Sequence, residues 1–278
     1  MKLHDQHLHS RFSFDCKTDP AANVEAAIAR GLCGLTFTEH YDTHPDDWPG
    51  CVYDDEAYSA AIEDVRERYR DRLFIGKGIE VCFQPEQMPK ILHHLRSHRF
   101  DVVLVSVHYF GGKPAHVREN WHAVDAATGI DIAMRDVLTA VTHIRDLHRR
   151  EGRVFDVLSH LDFAKRYAHR YCGSFDMTPH RGIIEDTLGA YLEASLIPEI
   201  NTSTFRQGLG ESMPNAEAVM TYARLGGKAM SIGSDSHSAE HIGADFDKAV
   251  AMLREAGINQ TVVFKSRDVS FLPCGDVV

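Results

Sequence analysis

Asp5-Gln6-His7-Leu8-His9, almost at the start of the chain, is the stretch on which the reading of the fold turns. Leu3 to Leu8 has the character of a short strand. Side chains on a strand alternate faces, so His7 and His9 point the same way. Two imidazoles about 7 Å apart along a strand can close on one metal ion by turning their rings inward. An isolated His-x-His is more often an ordinary pair on a half-exposed strand. Here the strands that follow also end in His, Asp or Glu.

Downstream of His9 a polar loop, 10–18, carries Asp15, and Asp19-Pro20 opens a helix as N-cap and first-turn proline. Strands are expected over 35–38 (ending in Glu39-His40), 73–79 (ending in Glu80), 101–107 (ending in His108), 154–159 (ending in His160), 198–201 and 229–232, the last followed by Asp235 and His237. Between them the pattern predicts helices over 55–70, 85–97, 131–150, 181–196, 214–225 and 240–256. A last short strand, 260–265, leads into the tail. Near-continuous apolar strands alternating with helices imply a parallel sheet covered by helices. Seven or eight such units point to a closed α/β barrel, and no linker or shift in composition divides 1–278 into more than one domain. A doubly wound open sheet would call for GxGxxG or GxxxxGK[ST] after an early strand, and neither occurs.

Composition narrows the partners. The 278 residues are 25% charged and 44% hydrophobic, which is ordinary for a globular chain. A net charge of −10 argues against a nucleic-acid partner. An anionic substrate remains compatible, because bound cations invert the local field. No run approaches a membrane span, and the start has no apolar signal core. The six cysteines form no CxxC pair and read as reduced, mostly buried thiols, so the expected compartment is cytoplasmic. Neither a GxSxG elbow nor a paired cysteine offers a covalent nucleophile. Oligomeric state is not legible. The 18 histidines are the compositional anomaly.

The barrel expectation gathers His7, His9, His40, Glu80, His108, His160, Asp235 and His237 on the C-terminal rim of the strands, where such barrels build their sites, with Asp15 on the first rim loop. Imidazole and carboxylate ligands suit Zn, Mn or Fe, and nine groups suffice for two or three divalent ions. Such ions some 3.5–4 Å apart can clamp the entering and leaving oxygens of a displacement at phosphorus. Other histidines (His93, His94, His98, His143 and His148) fall in predicted helices and read as solvated faces.

Taken together, His7-Leu8-His9-Ser10, Thr38-Glu39-His40, Gly78-Ile79-Glu80, Ser106-Val107-His108, Ser159-His160-Leu161-Asp162 and Ser234-Asp235-Ser236-His237 resemble the landmarks of the PHP (polymerase and histidinol phosphatase) superfamily over nearly the whole chain. The resemblance implies a distorted (β/α)7 barrel with a trinuclear centre. His7, His9, Glu80 and Asp235 would hold one metal; Glu80, His108 and His160 a second; Asp15, His40 and His237 a third. Asp15 stands where some branches carry His, which makes that third set richer in oxygen. The chain is most similar to the monofunctional branch, on its length, its Phe12-Ser13-Phe14-Asp15 and its Asn201–Arg206 segment.

That branch implies hydrolysis of L-histidinol phosphate by a metal-bridging hydroxide, with Glu80, Asp235 and Arg206 catalytic and with Asp235 or a metal-bound water as the source of the leaving-group proton. Arg206 and Arg166, or Lys165 beside it, are the expected phosphate contacts. A substrate ammonium calls for an acidic or aromatic partner among Asp42, Asp46, Asp47, Trp48 and Tyr53, while His44, His116 and Tyr109 shape the rim. The same metals would serve a sugar phosphate, a nucleotide or a phosphodiester, since specificity lies on loops. A non-catalytic metal-binding module and C–N bond hydrolysis are rival readings; the full ligand set weighs against the first, and the second leaves Arg206 unused.

Overall fold

A computed structural model describes residues 3–45 and 51–274. The chain runs β1 (His4–Leu8), α1 (Pro20–Ala29), β2 (Gly34–Tyr41), α2 (Asp55–Tyr69), β3 (Phe74–Cys82), α3 (Met88–Ser97) and β4 (Val102–Ser106). A small hairpin, β5 (Tyr109–Phe110) and β6 (Lys113–Pro114), precedes α4 (Ala126–Glu151), β7 (Val157–Leu158), α5 (Ala164–Cys172), α6 (Arg181–Ala194) and β8 (Ile197–Asn201). Then come α7 (Ser203–Arg206), α8 (Ala216–Arg224), β9 (Ser231–Gly233), α9 (Phe246–Glu255), β10 (Gln260–Lys265) and β11 (Asp268–Pro273). Asp19 caps α1 through the Ala21 N–H with Pro20 in its first turn, as its sequence requires.

Seven parallel strands form one sheet in the order β1-β2-β3-β4-β7-β8-β9. The ends of that sheet meet: the Asp235 N–H donates to the His7 carbonyl at 2.7 Å, and the His9 N–H to the Ser236 carbonyl at 2.8 Å. The sheet is thus a nearly closed barrel, which excludes the doubly wound alternative. Closure happens at the very residues that carry the candidate ligands.

Inside and outside alternate along each strand. On β2, Leu35 and Phe37 face outward and pack with Leu8, Tyr58, Ile62 and Val65 beneath α1 and α2. On β3, Gly76 faces inward, where a Cβ would lie 2.3 Å from Thr36 Oγ1. The base of the barrel is plugged by Val102, Leu104, Val157, Ala229, Val262 and Phe264. The last two come from β10, which pairs with β11 as an antiparallel hairpin, so the 260–265 strand is followed by structure rather than by a loose tail. Gln6 ties this plug to β1: its amide donates to the Val262 carbonyl and accepts the Phe264 N–H.

Several boundaries differ from expectation for physical reasons. The 154–159 strand shortens to two residues because the chain leaves the sheet to place Ser159 and His160. Glu39-His40 and Glu80 lie within β2 and β3, not beyond them. Helix α5 is absent from the sequence expectation, since Lys165-Arg166-Tyr167 and His169-Arg170-Tyr171 mask its apolar side. His94 and His148 are half-buried rather than on solvated faces: His94 stacks on Tyr41 with ring centroids 4.0 Å apart, and His148 Nδ1 meets the Ala194 carbonyl at 2.9 Å. Among the described residues Cys16, Cys51, Cys82 and Cys274 are buried and Cys172 is exposed. No helix of the structure is long and apolar enough to cross a membrane.

His4, at the barrel base, supplies a pH test of the packing. Its Nε2 lies 2.8 Å from Thr36 Oγ1, and burial pushes its pKa down to about 3. Below pH 6.5 the unfolded chain takes up a proton that the folded chain refuses until about pH 3. Stability therefore falls with pH across that window, by about 1.4 kcal/mol per unit from this one group. In His4→Gln the urea-unfolding free energy is expected to fall less steeply between pH 6 and pH 4, by that amount per unit.

Candidate metal centre

The rim brings all nine sequence-selected ligands into one cluster, and Glu80 is its hub. Glu80 Oε2 lies 3.3 Å from His7 Nε2, 3.6 Å from His9 Nε2 and 3.0 Å from His40 Nδ1. Glu80 Oε1 lies 2.9 Å from His160 Nε2 and 3.5 Å from His108 Nε2. One fully buried carboxylate thus faces five imidazoles. Burial works against its charge, but His7 and His40 outweigh that and hold Glu80 well below the usual carboxylate range.

Asp235 closes the other side. Its Oδ1 is 3.5 Å from His9 Nε2 and 3.9 Å from His7 Nε2, and its Oδ2 accepts from Arg166 Nη2 at 2.8 Å. Asp235 and His160 both have positive φ, 49° and 23°, a conformation that L-residues adopt at a cost and that clusters at functional sites. Asp15 Oδ2 lies 3.2 Å from His237 Nε2 and 3.7 Å from His40 Nε2. His9 belongs to this side too, its ring 4.2 Å from those of both His40 and His237. Grouping by mutual reach therefore gives His7-His9-Asp235, His7-Glu80-His160 and His9-His40-His237. The three sets named from the resemblance overlap these, with His7 and His9 shared more widely than that division allowed.

An inventory of protons shows that the cluster fits cations. Glu199 Oε1 accepts His7 Nδ1–H at 2.7 Å, which leaves His7 Nε2 bare toward Glu80 when the ring is neutral. Ser13 Oγ donates to Glu39 at 2.6 Å and accepts the His40 backbone N–H at 3.1 Å. Its 3.0 Å contact with His9 Nδ1 then takes that nitrogen as donor, again leaving Nε2 bare. Burial, with His40 and His237 beside it, pushes the His9 pKa down to about 3, so this ring stays neutral. His7 Nε2, His9 Nε2, His40 Nδ1, Glu80 Oε2 and His160 Nδ1 are buried and hydrogen-bond to nothing. Lone pairs facing carboxylates across some 3.5 Å are tolerated when cations lie between them.

Sequence reasoning missed the carboxylates behind the ligands. Glu39 accepts from Ser10 and Ser13, Glu199 holds His7, and Asp5 accepts from the Ser234 N–H and hydroxyl and the Gly243 N–H to brace the turn before Asp235. Their signal was visible: each is an acid within a buried strand, where an unpaired charge is too costly to keep.

A cavity of ≈ 350 Å³ opens over the cluster. Phe14, Phe163, Tyr167, Tyr109, His116 and Asp42 line it besides the ligands. Arg166 also lines it, with its guanidinium over the Phe163 ring. Arg206 does not; its two Nη groups donate to the Ser234 and Asp235 carbonyls, each at 2.7 Å. Lys165 turns away and is buried against Asp162, Glu211 and the Ser212 carbonyl, so it is unavailable to an anion in the cavity. His44 packs on Tyr109. Asp46, Asp47 and Trp48 lie outside the described residues.

The family model described as PHP domain matches residues 5–203. Over 271 residues the chain is 27% identical to the histidinol-phosphatase of Lactococcus lactis subsp. lactis (strain IL1403), covering 97% of each. It is 27% identical to a probable histidinol-phosphatase of Deinococcus radiodurans, with 95% of this chain and 97% of that one aligned. The crystal structure of the Lactococcus lactis histidinol phosphate phosphatase, complexed with Zn, L-histidinol and phosphate, superposes with TM-score 0.81 at 26% identity, covering 97% of this chain and 99% of that one. The fold alone is shared with metal-dependent tyrosine phosphatases of Bacillus subtilis and Streptococcus pneumoniae, at TM-score 0.53 and 14% identity over 91% of this chain and 87% of that one. The chain belongs to the PHP family of metal-dependent phosphoesterases.

Proposed function

We propose that this chain is a histidinol-phosphatase, releasing L-histidinol and phosphate from L-histidinol phosphate. The observation that carries the reading is the set of nine convergent candidate ligands, seven of which line a cavity that also holds Arg166, four aromatic rings and one further acid. The near-full-length relatives named for that activity support it.

Divalent Zn, Mn or Fe ions held by the nine residues would supply a nucleophile at neutral pH and neutralise phosphoryl charge. The chain's own groups do the rest. Arg166 lines the cavity with Nη2 held by Asp235 Oδ2 at 2.8 Å and Ser203 Oγ at 2.5 Å and with Nε buried without a partner, so this anchored guanidinium is placed to offer its remaining donors to a phosphoryl oxygen. Asp235, against burial, is held well below the carboxylate range by His9, Arg166 and His7, which suits a ligand and orienting base better than a proton donor. Phe163, just before α5, and Tyr167 within it meet edge to face with ring centroids 5.0 Å apart and give the organic end an aromatic wall. Asp42 is the remaining acid in reach of a substrate ammonium; its Oδ2 is 3.6 Å from His108 Nδ1 and its Oδ1 is buried without a hydrogen bond.

Metal-loaded protein should be tested against L-histidinol phosphate, a sugar phosphate, a nucleotide and a phosphodiester. The expected kcat/KM preference for L-histidinol phosphate is on the order of 100-fold, the discrimination that one or two recognised polar groups provide. Equal rates across the panel would sink the substrate assignment while leaving the phosphoesterase chemistry. In Arg166→Ala the inhibition constant of inorganic phosphate should rise roughly 10- to 100-fold, the scale of losing a charge-assisted contact. Arg206→Ala should raise it less, because Arg206 reaches phosphate only by releasing the 234–235 carbonyls.

A further inference from the structure

We propose that Glu199 is the positioning residue of the centre, fixing the His7 tautomer and the His160 backbone with one carboxylate; this rests on the metal-centre reading above. Its Oε1 accepts His7 Nδ1–H at 2.7 Å. Its Oε2 accepts the His160 backbone N–H at 2.9 Å and Asn201 Nδ2–H at 3.2 Å. Glu199 is 1% exposed, so no water substitutes for these partners. His7 stands at the end of β1 and His160 follows β7, so ligands from two strands that are not neighbours in the sheet share this anchor.

The donors around Oε2 cannot be reversed. A backbone N–H is always a donor. The Asn201 amide is held the same way round, because its Oδ1 accepts the Ser203 N–H at 3.1 Å and the Ser203 hydroxyl at 2.6 Å. A glutamine at 199 must therefore keep its oxygen on the His160 side and turn its NH2 toward His7. Two donors then face each other unless the His7 proton moves to Nε2, the nitrogen that looks into the centre. The isosteric change is thus harmful through proton placement rather than through volume. The clamp on the His160 N–H also acts where the backbone is least comfortable, at φ 23°.

The test is Glu199→Gln in the full chain, with cobalt(II) as the probe ion. Its affinity is read by chelator competition and the melting temperature of the metal-free protein is read alongside. Cobalt affinity is expected to fall roughly 10- to 100-fold, the usual effect of removing an outer partner of a ligating histidine, with metal-free melting little changed. Wild-type affinity in the variant overturns the proposal. So does an affinity loss matched by an equal loss of metal-free stability, which marks a purely structural residue. If the variant does not fold, the cobalt-loaded wild type decides by NMR. A paramagnetically shifted, exchangeable His7 Nδ1–H, absent in His7→Asn and slow to exchange because Glu199 buries it, is expected; its absence refutes the assignment. A wild-type chain that takes up no cobalt removes the centre itself, and with it the proposal.

Discussion

Glu80→Gln is expected to abolish most turnover, by about 10³-fold or more, the scale of deleting a preorganised charge at a reaction centre. The substitution keeps volume and shape, so the effect isolates the charge. Five imidazole nitrogens lie within 3.6 Å of the two Glu80 oxygens, and they come from β1, β2 and the segments after β1, β4 and β7. A carboxylate turns two anionic oxygens toward these rings, whose bare nitrogens at His7 and His9 leave room for cations between; an amide keeps one neutral oxygen, and its NH2 has no lone pair to offer a cation. The Ser106 hydroxyl also donates to Oε1, so that side favours the amide oxygen and turns the NH2 toward His7, His9 and His40. Metal analysis of dialysed protein should show loss of more than one ion per chain, because Oε2 faces His7, His9 and His40 while Oε1 faces His108 and His160. Full metal content with normal turnover would refute Glu80 as the bridge. Loss of one ion with turnover retained would refute the shared role.

How much of this was legible in the sequence differs by layer. Alternation of apolar strands with helices gave the barrel, because a parallel strand buried on both faces must be apolar nearly throughout. The same alternation made His7, Glu80 and Asp235 stand out as polar residues where the apolar strands end, on the rim of the expected barrel. Which residues lie within the strand and which beyond it was not legible, because a strand's end is set by its neighbour's register. Glu39, His40 and Glu80 remain in ladders because β2 and β3 pair from Gly34–Phe74 through Tyr41–Val81. Helix α5 escaped because its apolar burial is made by only Ala164 and Ala168, packed toward α4, with its charged residues turned to other tasks: Lys165 into an internal ion pair and Arg166 into the cavity. Proton placement was beyond sequence altogether. The roles of Ser13 and Glu199 depend on which nitrogen of a ring lies near which oxygen, and the strands that bring them together lie up to 192 residues apart.

The second large effect is expected at a residue with no functional group. Gly233 ends β9 beside the His7–Glu199 pair, and a Cβ built there lies 2.2 Å from Glu199 Oε1 and 2.4 Å from His7 Cβ. Neither neighbour has room to yield. His7 is held through its carbonyl, which accepts the Asp235 N–H at 2.7 Å, and Glu199 is held by the three bonds already described. A Cβ so close to a backbone-anchored Cβ must push β1 and β9 apart at the seam that closes the barrel. Overpacking of this kind costs about 1–3 kcal/mol of stability. The functional loss is larger, since displacing a reacting group's support by about 1 Å costs on the order of 10²-fold in rate. Gly233→Ala should therefore fold with a lowered melting temperature, lose metal and lose at least that much activity. Gly189→Ala is the control: it adds the same methyl within α6, where nothing lies within 4 Å of the added carbon, and should stabilise by about 0.5–1 kcal/mol through helix propensity. If Gly233→Ala matched that control in metal content and turnover, His7 would not need the place it occupies, and the closure of the barrel would not be what assembles the centre.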